Sequence, residues 1–225
     1  MLYPKKCPLC HQILKEKQQL ICPHCSKKIR PISGPRCMKC GRPVKMEEEY
    51  CEDCKKGVHH FTEGRSIFLY GAIWRQSLVR FKYYGCREYG DFYAKAMYVF
   101  GKKYLDRWNP ELLVPVPLYS RKKRMRGFNQ AAYLAEQLSR FTGIPWEDQL
   151  VQKIRSTKSQ KKLNAIQRRQ NLKDAYLVKR KLPGISVLVV DDVYTTGSTM
   201  DAMAMCLLEA GAREVYFLTV CAGMA

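Results

Sequence analysis

The 225-residue chain reads as an α/β protein, a parallel sheet flanked by helices, with a small N-terminal zinc-ribbon module. Three observations predict this. Val187 to Thr199, VLVVDDVYTTGST, passes from four apolar residues through an acidic pair and a hydroxyl-rich turn into an apolar-periodic helix. Leu112 to Val116 is a second apolar run of the kind a strand buried on both faces requires. Eight of the eleven cysteines fall into four Cys-x-x-Cys pairs near the N-terminus. The expected boundaries are residues 1–60 for the cysteine module and 63–225 for the α/β domain.

Composition narrows the function classes. A hydrophobic content of 46% is ample for a core, and a formal charge of +20 favours acidic partners: nucleic acid, phosphorylated metabolites or an anionic surface. Pro4, Lys5, Lys6 and Cys7 follow the N-terminus in place of an apolar leader, and no apolar run approaches the length of a membrane span. A cytoplasmic protein without membrane insertion is expected. In a reducing compartment, paired cysteines point to metal rather than disulfides.

The pairs are Cys7/Cys10, Cys22/Cys25, Cys37/Cys40 and Cys51/Cys54, with eleven and ten residues separating the pairs of each half. A Cys-x-x-Cys knuckle presents two thiolates on one side of a tight turn, and two knuckles complete a tetrahedral site for Zn2+. Two sequential structural sites are predicted, Cys7, Cys10, Cys22 and Cys25 in one, Cys37, Cys40, Cys51 and Cys54 in the other; a cross-braced pairing satisfies the same spacing. His11 and His24 are alternative ligands, but four thiolates already close each site. Residues 1–62 carry thirteen bases and six acids against twenty-seven and fourteen in the remainder, so the positive charge belongs mainly to the larger domain once thiolates and zinc are counted.

Ser66 to Tyr70 reads as a strand, followed by helical patterns from about Ile73 to Tyr83 and Tyr89 to Leu105. Bases and aromatics alternate here, Lys82, Tyr83, Tyr84, Arg87 and Tyr89 among them. This is a stacking surface for single strands, or, on the favoured reading, an amphipathic helix with basic stems lying over its apolar face. Val114-Pro115-Val116-Pro117 ends the strand that starts at Leu112, and a loop is expected through Arg121, Lys122, Lys123, Arg124 and Arg126. At the C-terminal edge of an α/β sheet such a basic loop is placed to meet a pyrophosphate. A helix from about Asn129 to Phe141 is stopped by Gly143. Gln152 to Lys173 holds eight bases and no acid; taken alone it is a solvated charged loop or a nucleic-acid patch.

Val187 to Val190 form the final buried strand before a last helix and the strand Val215 to Val220, and Asp191 and Asp192 are expected to end it. Gly197 permits close backbone approach, and Thr195, Thr196, Ser198 and Thr199 with the helix N-terminus form a phosphate cradle. The two acids suit ribose hydroxyls or a hydrated Mg2+ on the same ligand. Ordinary capping by Asp and Thr is the competing reading, yet capping needs one such residue rather than seven in order.

This window resembles the phosphoribosyl pyrophosphate (PRPP) motif of type I phosphoribosyltransferases. Together with Val-Pro-Val-Pro-Leu, Arg-Gly-Phe-Asn-Gln, the segment from Thr157 to Tyr176 and the cysteine pairs, the chain resembles over nearly its whole length the ComF family of competence-associated phosphoribosyltransferase-like proteins. The resemblance implies a type I phosphoribosyltransferase-like sheet and a double zinc ribbon. It implies Mg2+ with PRPP at Asp191, Asp192, Thr195, Thr196, Gly197, Ser198 and Thr199. It assigns a pyrophosphate loop to Pro117, Arg121, Lys122, Lys123, Arg124 and Arg126, and a closing flexible loop containing Gln160, Arg168 and Asn171. It further implies DNA uptake in natural transformation, with single-stranded DNA and a DNA-uptake helicase or processing protein as partners. A catalytic phosphoribosyltransferase of nucleotide metabolism and a PRPP-sensing regulator are the alternatives. Thr195 stands where 6-oxopurine salvage enzymes carry an Asp base, which argues against that substrate class.

Overall fold

Apolar runs that must be buried on both faces pair best in the middle of a sheet covered by helices, and this is where the runs Val187 to Val190 and Val215 to Val220 lie, whereas Leu112 to Pro115 supplies an edge strand. The computed structural model describes residues 4–16, 18–57, 59–154 and 175–223. Its four-stranded sheet consists of β1 (Glu63–Leu69), β2 (Leu112–Pro115), β5 (Ser186–Tyr194) and β6 (Glu214–Ala222), all parallel, in the order β1-β6-β5-β2. The remaining strands, β3 (Val151–Lys153) and β4 (Tyr176–Val178), form an antiparallel pair beside it.

Strand alternation divides the interior into two cores. Leu188 and Val190 of β5 face one core together with Leu218 and Val220 of β6; Val187 and Val189 face the other with Val215 and Phe217. Helices α3 (Ala72–Tyr83), α4 (Tyr89–Trp108) and α6 (Gln130–Thr142) build the first core, and α7 (Ser198–Glu209) builds the second. α6 follows the expected periodicity, with Ala131, Leu134, Ala135 and Leu138 buried; Asn129 caps its first turn and Gly143, at φ 74°, ends it.

The cysteine module carries short helices α1 (Pro23–Ser26) and α2 (Glu52–Lys56). It is packed onto the sheet rather than strung ahead of it. Cys7, Leu9, Leu14 and Cys25 belong to the first core, whereas Cys37, Cys40 and Cys51 belong to the second. The linker and second ribbon also cover the outer edge of β1: the Ile32 N–H donates to the Ile67 carbonyl at 2.8 Å, and the Gly64 N–H donates to the Lys39 carbonyl at 2.8 Å. An edge strand is thereby shielded from pairing with another chain.

Two expectations are corrected. Asp191 and Asp192 do not end β5, which continues to Tyr194 because β6 runs alongside, with Asp191 opposite Thr219 and Val193 opposite Cys221. Ladder pairing outweighs the poor strand propensity of aspartate. The basic stretch after Pro117 is not a loop throughout: Ser120–Arg126 forms helix α5. Its Arg, Lys and Met are good helix formers, and Gly127, at φ 76°, closes it with its N–H on the Lys123 carbonyl. Gln160, Arg168 and Asn171 lie outside the described residues. Among those described, no helix is long and apolar enough to cross a membrane.

Candidate functional site

The C-terminal ends of β2 and β5 open onto a cavity of about 200 Å³. Pro117 and Leu118 wall it after β2, Asp191 and Asp192 from within the C-terminal part of β5, Lys122 and Arg126 from α5, and Asn129 and Gln130 from the start of α6. Lys153 of β3, Tyr176 of β4 and Thr199 of α7 also line it. Three cationic side chains therefore face two carboxylates. A cleft of about 20 Å³ lined by Thr195, Gly197 and Thr199 adjoins it through the shared threonine.

The two acids differ in their surroundings. Asp192 is 6% exposed, and its Oδ2 lies 2.5 Å from Lys82 Nζ. Burial opposes the Lys82 charge, but Asp192 and then Asp191 raise its pKa above the ordinary lysine value, so it stays an ammonium. Asp191 accepts the backbone N–H of Asp192 at 2.8 Å. Burial, followed by the neighbouring Asp192 charge, pushes Asp191 up to about 7, while that N–H, Lys82 and Lys153 pull in the other direction. Lys153 moves below its ordinary value, through burial first and the nearby Lys122 second, and it donates to the Tyr176 hydroxyl at 3.3 Å. Oxygen donors paired in this way suit a hard divalent cation or sugar hydroxyls, and the ammonium and guanidinium groups suit phosphate oxygens.

Helix α7 begins at Ser198 without a side-chain cap. Its first N–H groups have no partner within the helix, and the positive end of its dipole faces the cleft. Thr196 Oγ1 and Ser198 Oγ are 2.9 Å apart, two hydroxyls able to turn toward an anion. Gly197 takes φ 80°, and a Cβ there would meet the Tyr194 hydroxyl at 2.7 Å. The glycine is thus required by the backbone turn and by packing from the protein side.

Of the expected pyrophosphate residues, Pro117, Lys122 and Arg126 reach the cavity, whereas Arg121, Lys123 and Arg124 stand on the exposed side of α5 and do not line it. A helix turns successive side chains to different faces, so a charge run cannot all converge on one ligand. The alternative reading of the aromatic-basic stretch as a stacking surface fails at Tyr89. Tyr89 is fully buried, its hydroxyl against His11 Nδ1, so it cannot stack on a base. Tyr84 is exposed, and the half-exposed Tyr83 already holds the Arg126 guanidinium 4.7 Å from its ring centre, with its hydroxyl accepting from Nη2 at 2.7 Å.

Sequence reasoning assigned Lys82 to a surface stripe and missed its ion pair with Asp192. The available signal was its place four residues after Leu78, a buried residue of α3, which puts the two on one helix face. Lys153 was read as part of a charged loop; its pairing with Tyr176 across β3 and β4 brings it inward.

The eight paired cysteines gather as two sequential tetrads, Cys7, Cys10, Cys22 and Cys25, and Cys37, Cys40, Cys51 and Cys54, with all sulfurs of each set within 4.8 Å of one another. His11 and His24 belong to neither. Hydrogen bonds from Cys40 and Cys54 hold the Cys37 thiol far below the usual thiol range, and the same contact pushes Cys40 up to about 12. Four crowded thiols cannot all ionise unless a cation offsets them. The donor set fits tetrahedral Zn2+, with no position left open for substrate.

Residues 1–55 match the family model described as the double zinc ribbon domain, and residues 102–225 match that of the phosphoribosyl transferase domain. The chain is 32% identical to Competence protein F of Haemophilus influenzae, over 93% of each chain. It is 31% identical to Competence protein ComFC of Bacillus subtilis, covering 88% of this chain and 82% of that one. The DNA utilization protein YhgH of Escherichia coli K12 is 28% identical over 97% of each.

Proposed function

Because the chain belongs to the ComF family, in which a double zinc ribbon precedes a phosphoribosyltransferase domain, we propose that it acts in the uptake of DNA during natural transformation, binding Mg-PRPP and single-stranded DNA. The observation that carries the ligand reading is the cavity in which Lys122, Arg126 and Lys153 face Asp191 and Asp192 beside the uncapped start of α7.

In this reading the 5′-phosphate is held by the N–H groups and hydroxyls of residues 195–199, and the pyrophosphate by Lys122, Arg126 and Lys153. Asp191 and Asp192 take the ribose hydroxyls and the hydrated Mg2+, which neutralises pyrophosphate charge when bound. Lys82 pairs with Asp192 until the ligand arrives. The closed zinc sites support a structural role or one in binding partners. Arg121, Lys123 and Arg124, exposed as Tyr84 is, present charge to a nucleic-acid backbone. The relatives' names, Competence protein F, ComFC and DNA utilization protein, support the DNA part of this reading.

The experiment is a titration of labelled single strands with and without saturating Mg-PRPP. Because α5 serves both ligands, Mg-PRPP should weaken DNA binding. Absence of single-strand binding even at low salt refutes the DNA half, and undiminished DNA binding at saturating Mg-PRPP refutes the shared helix.

A further inference from the structure

His59, five residues beyond the last ligand of the second cysteine tetrad, lies against the 195–199 turn. His59 Nδ1 donates to Asp201 Oδ2 at 2.7 Å, and the backbone N–H of His60 donates to Asp201 Oδ1 at 2.8 Å. Asp201 lies in the first turn of α7, its own N–H on the Gly197 carbonyl at 2.8 Å. The imidazole is 8% exposed, stacks on Phe61 with ring centres 4.8 Å apart, and lies 3.3 Å from where a Cβ on Gly197 would stand. Its second nitrogen, Nε2, is buried with no hydrogen-bond partner. An unpaired buried nitrogen carries a free-energy cost that an apolar side chain of the same size would avoid. Packing alone therefore does not account for a histidine here; a directed hydrogen bond to Asp201 does.

We propose that His59 is a positioning residue for the phosphate turn. By clamping Asp201 and filling the space beneath Gly197, it holds residues 195–199 in the anion-accepting conformation, and so ties the second zinc ribbon, rather than the first, to the phosphate site. The first ribbon stands on the other side of the sheet, where Pro8 accepts from Ser77 of α3 at 2.6 Å. The proposal rests on the reading of residues 195–199 as a phosphate site, but the conformation of the turn can be observed without any ligand.

The test uses the full zinc-loaded chain with His59→Ala and His59→Asn, since asparagine keeps a donor for Asp201. Amide hydrogen exchange of the peptide spanning 195–199, without ligand, should be faster in His59→Ala and return towards wild type in His59→Asn. Affinity for Mg-PRPP should fall ~3–10-fold in His59→Ala, the loss expected of one ordinary hydrogen bond, with recovery in His59→Asn. Zinc content should be the same in all three proteins. Exchange and affinity unchanged in His59→Ala overturn the proposal, and so does failure of His59→Asn to restore either. Wild-type protein that binds no Mg-PRPP overturns the pocket reading and the ligand side of this one, while the exchange data still judge the clamp.

Discussion

Replacing Lys82 with methionine removes the charge but keeps most of the stem, and it should destabilise the protein in a pH-dependent manner. Lys82 Nζ is 2.5 Å from Asp192 Oδ2, with the side chains 21% and 9% exposed. Breaking a buried pair by removing one partner costs ~3–5 kcal/mol if the remaining charge stays ionised. Here it need not. Asp191 already titrates at about 7 because of burial and Asp192, and Lys82 is among the groups holding it down. Without that cation the acidic pair should retain a proton to higher pH, which caps the cost. The expected loss is therefore ~1–3 kcal/mol at pH 8, shrinking towards pH 5.5 as the pair protonates. The sign for Asp191 runs the same way in wild type. A carboxyl whose folded pKa is raised favours the folded state while protonated, so its contribution is lost as pH rises from the ordinary carboxylate value through about 7. Urea unfolding of both proteins, followed by the fluorescence of Trp74, Trp108 and Trp146, measures the difference at each pH. A Lys82→Met penalty that is the same at pH 5.5 and pH 8, or absent at pH 8, would refute the coupling of Lys82 to the acidic pair.

Metal analysis should find two zinc ions per chain, and Cys7→Ser and Cys37→Ser should each lose one; protein prepared under reducing conditions with disulfides and no metal would overturn the assignment. Alanine at Arg121, Lys123 and Arg124 should flatten the salt dependence of single-strand binding by about 0.7 in slope for each phosphate contact removed. Tyr84→Ala should lower affinity by ~1–3 kcal/mol for a stacked base and leave the slope unchanged; a change of slope instead would show that Tyr84 acts through its neighbours' charges.

The parts of this molecule legible in its sequence are those fixed by local chemistry. Cys-x-x-Cys spacing sets each knuckle, and a four-residue apolar run can only be an interior strand or a short piece of buried helix. The turn containing Gly197 needs its glycine, and the helices around Leu78, Met97 and Leu134 carry their own periodicity. What escaped depends on partners distant in the chain. β5 runs on through Asp191 and Asp192 because β6 is there to pair with it. Lys82 meets Asp192, and His59 meets Asp201, across more than a hundred residues. Tyr89 looks like its exposed neighbours Tyr83 and Tyr84 in composition, but the first ribbon folds over it and His11 covers its hydroxyl. The helical form of α5 was hidden by a correct inference about the prolines, which end β2 but leave the conformation of residues 120–126 open.

The central claim is that residues 191–199 together with Lys122, Arg126 and Lys153 hold Mg-PRPP, and isothermal titration calorimetry of wild type, Asp192→Asn and Thr196→Val with millimolar Mg-PRPP tests it most directly. Wild type should bind with measurable heat, and near pH 6 it should release protons because Asp191 must ionise to take its ligand. Thr196→Val should lose ~1.5–3 kcal/mol, the range for a hydrogen bond to a charged group, and Asp192→Asn should also bind more weakly, both with zinc content intact. No heat from wild type, or variants that bind as wild type does, would contradict the account.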